Sequence, residues 1–305
     1  MRIQDWNPTP IHEIPYLVAR QGGGATEHGT LAITVARAAD LPPALDGLVF
    51  TADLQGREVL PPTSRRCRPH RRPRSAKLEP GRELLPPSSR QSSAPVRGYR
   101  EGRRLLGEVV AKQLRRLCDR GDLPASDKLG VVLAGDFWAE PGSTRRGGLG
   151  AVGAVWSAFG GTSRWVAGVL GNHDQYDGPR PNEKANSVRR IALLDGNTVE
   201  LDGCRVGGVS GIIGSPSMPC RKSEQRYLEL LEKVLLDQPD ILVLHESPEV
   251  PDSGCRGRIS IQECLLRLPP TLVVCGHCHW PAPLQSLPNG TQICNVDARV
   301  IVVRR

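Results

Sequence analysis

The stretch Val166-Ala167-Gly168-Val169-Leu170-Gly171-Asn172-His173-Asp174 most constrains what this chain can fold into. A short apolar run that ends abruptly in Gly-Asn-His-Asp reads as a buried parallel strand with polar groups at its carboxyl end, where open α/β sheets place ligands. By itself the tetrapeptide is weak, because Asn and His beside Gly also make ordinary turns. Its company changes that. Residues 129–134 form a second apolar run, ended by Gly135-Asp136, and residues 48–52 a third, ended by Asp53-Leu54-Gln55-Gly56. Residues 241–244 form a fourth, followed by His245, and residues 272–275 a fifth, followed by Gly276-His277-Cys278-His279. Each run carries carboxylate, amide or imidazole at the same end, the donor types that hold hard and borderline divalent ions.

In this order the five blocks resemble the calcineurin-like metallophosphoesterase superfamily, whose pattern runs Asp-x-His, Gly-Asp, Gly-Asn-His-Asp or Glu, a lone His, then Gly-His-x-His. The resemblance covers roughly residues 47 to 300. One position departs: Gln55 stands where the family usually has His. The resemblance implies an α/β fold, a four-layer α-β-β-α sandwich of two mixed sheets. It also implies two divalent metal ions and hydrolysis of a phosphodiester or phosphomonoester by a hydroxide bridging them. Carried over block by block, Asp136 is the bridging carboxylate, Asp53, Gln55 and His279 complete a first site, and Asn172, His245 and His277 complete a second. His173 is left to stabilise charge or protonate the leaving group, with Asp174 fixing its orientation.

A side-chain amide is a neutral, weaker ligand than imidazole for zinc-like ions, so Gln55 favours Mn2+, with Fe, Zn and Mg as alternatives. Gly135-Asp136-Phe137-Trp138 lacks the Asp-Arg-Gly continuation of the protein serine/threonine phosphatase branch, and Asp174 stands where that branch has Glu. A nucleotide or other small phosphoester is therefore expected before a phosphoprotein. Phe137, Trp138 and Tyr176 either stack on a base or simply pack.

The net charge of +8 invites a nucleic-acid reading, but its location matters. Residues 61–100 hold eleven Lys or Arg against Glu79 and Glu83, a net +9, which leaves about −1 for the remainder. Within them, residues 61–98 form a basic insertion rich in Pro, Arg and Ser, with too few apolar residues to build a core, and are expected to be disordered. Such a segment gains affinity for nucleic acid by counterion release, although no aromatics interleave to stack bases. Residues 1–46 read as an N-terminal extension and 47–305 as the metallophosphoesterase domain. The nine cysteines are odd in number and scattered, which is no disulfide framework. Cys275-Gly276-His277-Cys278 has redox spacing, but Trp280-Pro281-Ala282-Pro283 follows where a redox motif needs a helix. No run approaches the ~20 apolar residues of a membrane span, and no apolar signal core opens the chain, so a cytoplasmic protein without a membrane partner is expected.

Apolar spacing predicts a weak helix over 11–18, a strand over 31–35, a helix over 106–117 stopped at Gly121, and a helix through Leu149, Val152, Val155 and Trp156. It further predicts a hairpin of 198–201 with 206–211, a helix over 227–235, and closing strands over 293–296 and 300–303. Two competing functions remain: a metal-binding scaffold with little turnover, which Gln55 suggests, and a nucleic-acid binder acting through the insertion.

Overall fold

A computed structural model of the protein describes residues 1–20, 26–60, 100–142, 147–178, 190–251 and 253–305. The insertion at 61–98, and the expectations attached to it, lie outside the described residues. In chain order the elements are β1 (Ile3–Ala19), β2 (Thr26–Ala38), β3 (Gly47–Ala52), β4 (Arg57–Leu60), β5 (Arg100–Leu105), α1 (Leu106–Asp119), β6 (Leu129–Ala134), β7 (Gly150–Ala151), α2 (Gly153–Gly160), β8 (Trp165–Val169), β9 (Asp174–Gln175) and β10 (Arg190–Leu193). There follow β11 (Asn197–Leu201), β12 (Cys204–Val209), β13 (Ile212–Ile213), β14 (Arg221–Lys222), α3 (Glu224–Leu236), β15 (Ile241–Leu244), α4 (Ile259–Arg267), β16 (Leu272–Cys275), β17 (Leu284–Ser286), β18 (Gln292–Asn295) and β19 (Arg299–Arg304).

The fold is mixed α/β. One nine-stranded sheet has the order β10-β8-β6-β3-β19-β2-β1-β4-β5 and a second, six-stranded sheet the order β11-β12-β15-β16-β18-β17. Side chains alternate faces along a strand, and the apolar runs use both. Leu48, Phe50, Val132 and Trp165 of the larger sheet share one core with Val206, Ile241, Val243, Leu272 and Val274 of the smaller. Their neighbours Val49, Val131, Leu133 and Val166 face the other way, onto Val110, Leu114 and Leu117 of α1 and Val155, Trp156 and Phe159 of α2. On the far face of the smaller sheet, Leu242, Leu244, Val273 and Ile293 pack against Tyr227, Leu231 and Val234 of α3 and Ile261 and Leu265 of α4. Burial on both faces explains why these strands read as continuous apolar runs rather than alternating ones.

Within the larger sheet β3, β6 and β8 are parallel neighbours, as are β15 and β16 within the smaller. β15 packs across the inter-sheet core on β6 and β8, and β16 on β6. The polar ends of all five runs therefore meet at one edge of the two sheets.

Two helix expectations are corrected. Residues 11–18 lie in β1, antiparallel to β2 with Ile14 opposite Leu31 and Leu17 opposite His28. The spacing of Ile11, Ile14, Leu17 and Val18 suits a helix, but the apolar run of β2 offers a long pairing partner, and Pro15 costs one hydrogen-bond donor only. The helix expected from Leu149 starts at Gly153, because Gly150–Ala151 pairs with β9 instead. The other local readings agree: α1 ends where Gly121 takes a φ of 79°, which suits Gly alone without strain. Cys275 lies at the end of a strand with an irregular segment after it, unlike a redox helix. Among the described residues no helix is long and apolar enough to cross a membrane.

Candidate metal centre

Asp136 is the hub. It follows β6, is 2% exposed, and holds a φ of 59° after Gly135 at 90°. Asp53 (54°) and His277 (66°) also occupy the left-handed region. Non-glycine residues there cost about 1–3 kcal/mol each when the surroundings impose the conformation, and such strain concentrates at functional sites. Ligating atoms of Asp136, His245 and His277 lie within 4.8 Å of one another. His245, fully buried at the end of β15, places Nε2 3.4 Å from Asp136 Oδ2 and 3.2 Å from Asn172 Oδ1. Its Nδ1 lies 2.8 Å from the Ala134 carbonyl oxygen, which demands a proton on Nδ1. In the neutral ring the Nε2 lone pair therefore faces two oxygens. A proton or a metal ion at this point would be shared by all three atoms.

The titration behaviour agrees. Burial by itself would lower the pKa of His245, but the Asp136 carboxylate outweighs it and carries the imidazole to about 10. Asp136 is lowered: burial acts to raise it, and His245, with the backbone amide of His173 2.9 Å from Oδ1, prevails. His277 is pushed down to about 4, first by desolvation and then by the charge on His245, whose ring it meets edge-on at 5.0 Å between centroids. Gly171 must be glycine, since a Cβ there would collide with the Asp136 carboxylate.

Asp174 does different work from that expected. Its Oδ2 accepts from the amides of Asp136 (2.7 Å) and Gly171 (3.1 Å), and its Oδ1 from Phe137 (2.8 Å) and Trp138 (3.2 Å). It ties the loop after β6 to the loop after β8, and burial followed by the neighbouring Asp136 raises its pKa to about 6. It does not orient His173. That ring is held through Nδ1 by the Gly148 carbonyl oxygen at 2.7 Å, with Nε2 3.9 Å from Asp136 Oδ2.

The residues expected at the first site are near the hub but arranged otherwise. Gln55 donates Nε2 to Asp136 Oδ2 at 2.9 Å, and Asp53 Oδ2 accepts the His277 amide at 2.9 Å. The Asp53 carboxyl is raised well above the usual range by burial, partly offset by His245, with Asp297 and Asp136 pushing the same way as burial. His279 lies outside the Asp136 group, with Nδ1 2.7 Å from Asp297 Oδ2. Asp297 was missed from sequence, although Ile293-Cys294-Asn295-Val296-Asp297 is a sixth apolar run ended by an acid. Glu246, beside His245, was missed as well: buried, it pairs with Arg258 and accepts the Ile213 amide, pinning the start of the 212–222 segment to the end of β15.

No family model matches the chain, and no curated protein does. Among solved structures, TT1561 of Thermus thermophilus is 17% identical, with 65% of this chain and 84% of that one covered and a TM-score of 0.41. The protein of unknown function AQ665 from Aquifex aeolicus is 14% identical, with 48% and 67% covered and a TM-score of 0.25. Likeness at this level assigns neither fold family nor function.

The three aromatics make packing contacts. Phe137 is fully buried in the core under α1 and α2, and Tyr176 packs edge-on against Trp156 at 5.7 Å. The Arg57 guanidinium lies 5.7 Å from the Trp138 ring centroid, and the missing Cβ of Gly150 leaves room for that ring. All three have packing roles.

Proposed function

We propose that this chain is a metal-dependent phosphoesterase built as a four-layer α-β-β-α sandwich of the calcineurin-like type. The core between the two sheets and the separate helix pairs on their outer faces support that architecture. The observation that carries the function is the convergence of Asp136, Asn172, His245 and His277 from the ends of four strands around the Nε2 lone pair of His245.

These residues fit a divalent ion: two imidazoles, one carboxylate and one amide oxygen suit Mn2+, Fe2+ or Zn2+. Such ions, when bound, lower the pKa of water and neutralise charge on a phosphoryl group. The protein's own part is positioning. Asp136 supplies the anionic charge that would hold a cation here, and Asp174 locks the two loops that carry Asp136 and Asn172. His173 keeps Nδ1 on Gly148, so in its protonated form Nε2 is free to donate to a phosphoryl or leaving-group oxygen. Phe137 lies in the core, Tyr176 packs on Trp156 and Trp138 under Arg57, so none of these three is assigned to the ester.

The test is hydrolysis of bis-p-nitrophenyl phosphate and of p-nitrophenyl phosphate with Mn2+, Mg2+, Zn2+ or chelator, for the wild type and Asn172→Ala. Metal-dependent turnover that collapses in the variant is expected, and the preferred ester separates diesterase from monoesterase. Bound metal without turnover on either ester would instead support the scaffold reading, which the hydrogen bond from Gln55 to Asp136 favours.

A further inference from the structure

We propose that the loop 214–219, with Met218 at its tip, is the wall of this site that receives the organic part of the ester, and that the ester it fits carries an apolar group. The inference rests on the phosphoesterase reading above and deepens it. β12 runs parallel to β15 with Val209 opposite Leu244, so the chain leaves β12 at the edge where His245 stands. Both ends of the loop are then tied to residues beside the donors. Gly211 donates its amide to the Leu170 carbonyl oxygen at 2.8 Å, and Cys220 Sγ donates to the Asp174 carbonyl oxygen at 3.2 Å. Ile213 donates its amide to Glu246, the neighbour of His245, and its carbonyl oxygen accepts from Arg258 Nη2 at 3.1 Å, while Arg258 Nε bonds to Glu246 in turn. The charges agree with this closeness. Burial, then Asp174, raise the Cys220 thiol and Asp136 adds to them; Arg258 joins desolvation and His245 in lowering His277.

The tip is held in shape and apolar without being buried. Met218 donates its amide to the Ser215 carbonyl oxygen at 3.0 Å, a turn with Pro216 at its second position, where the fixed φ of proline suits it, and Pro219 follows. The hydroxyls of Ser215 and Ser217 lie 2.8 Å apart and satisfy one another. Pairing of β13 with β14 closes the base, and Gly211 turns into it at a φ of 76°, where a Cβ would strike the Cys220 carbonyl oxygen. Met218 is 50% exposed, one of four large hydrophobic residues left exposed among the described residues. A second of the four, Ile259, directly follows Arg258; the others, Ile11 and Leu236, belong to β1 and α3. Two of the four therefore sit on segments that one polar clamp joins at the donor edge. A wall already held by hydrogen bonds does not have to be ordered when a ligand arrives, and a thioether chain adapts to apolar groups of different shape.

The experiment is calorimetric binding of phenylphosphonate and methylphosphonate, as free acids and as monomethyl esters, to the full chain in Mn2+, with thermal unfolding as the check on folding. The variants are Met218→Ser, Met218→Leu and Leu236→Ser. Leu236, 72% exposed and leading into the start of β15 rather than its His245 end, is the control for loss of an exposed apolar side chain. The wild type should bind the phenyl compound more tightly than the methyl compound in at least one of the two forms. Met218→Ser should weaken the phenyl compound by ~3- to 10-fold and leave the methyl compound within about twofold, Met218→Leu should keep the preference, and Leu236→Ser should change neither. Equal affinity of the wild type for the two compounds, an unchanged preference in Met218→Ser, or the same loss in Leu236→Ser overturns the inference while the Asp136 group stands. A wild type that binds neither compound in either form overturns the phosphoester reading itself.

Discussion

The two groups of donors that meet at Asp136 are prepared in opposite ways. On the His245 side two of the three donors are fixed by the main chain or by burial: His245 is wedged between the sheets with Nδ1 on Ala134, and Asn172 is 9% exposed, whereas His277 is exposed and lies edge-on to the His245 ring. On the His279 side Gln55 is held by Asp136 and His279 by Asp297, both side-chain pairs, while Asp53 accepts the main-chain amide of His277. The placing of His245 and Asn172 follows from packing one sheet on another, and it cannot relax without opening a core. The His279 side lies in loops at the sheet edge and depends on pairs that a single substitution removes. A centre made this way should hold one ion firmly and the other conditionally.

The largest effect should come from Asp136, the residue the two groups share. Asp136→Asn removes the charge that both ions would use, so turnover should fall by about 10³-fold or more and metal content should drop on both sides. His279→Ala should remove only the weaker ion. Metal analysis of the two purified variants makes the comparison, and equal loss in both would break the asymmetry.

Next in size, His173→Ala should lower turnover by ~10²- to 10⁴-fold with metal content unchanged, because its ring is tied to Gly148 rather than to the donor group. The loss should shrink for an ester whose leaving group departs without a proton. Loss of metal in this variant would place His173 among the ligands.

The smallest effect is a proton count. With a pKa of about 10, His245 is protonated at pH 7 in the metal-free protein, so an ion using Nε2 must displace that proton. His277, held near 4, is already neutral and releases none. Binding to the firm group should therefore release about one proton per ion, and affinity should rise about tenfold per pH unit between 6 and 8. Calorimetry in buffers of different ionisation enthalpy measures it; pH-independent affinity would mean that His245 is not the donor.

Much of the fold was legible because both faces of the central strands are buried. That condition writes itself as uninterrupted apolar runs with abrupt polar ends, and residues 48–53, 129–136 and 166–174 are found in the structure as read. The hairpin at Asp202-Gly203, the stop at Gly121 and helices α1 and α3 were readable for local reasons: turn conformation and a 3.6-residue stripe. The strand over 11–18 was not, because its conformation is imposed by β2, and its own spacing points to a helix.

The sequence by itself determined which chemistry is on offer, since strand ends and residue types are local properties: carboxylate, amide and imidazole, five times over, at one edge. The use of each group was decided by tertiary structure. Asp174 and His173 are neighbours in the chain, yet the carboxylate went to four main-chain N–H groups and the ring to Gly148, because a buried carboxylate is best satisfied by the amides around it. His279 and Asp297 are 18 residues apart, and only the closing of β16, β18 and β19 around Asn295 makes them a pair. Hydrogen bonds are satisfied by whatever the fold brings within reach, and that reach is a property of packing rather than of order along the chain.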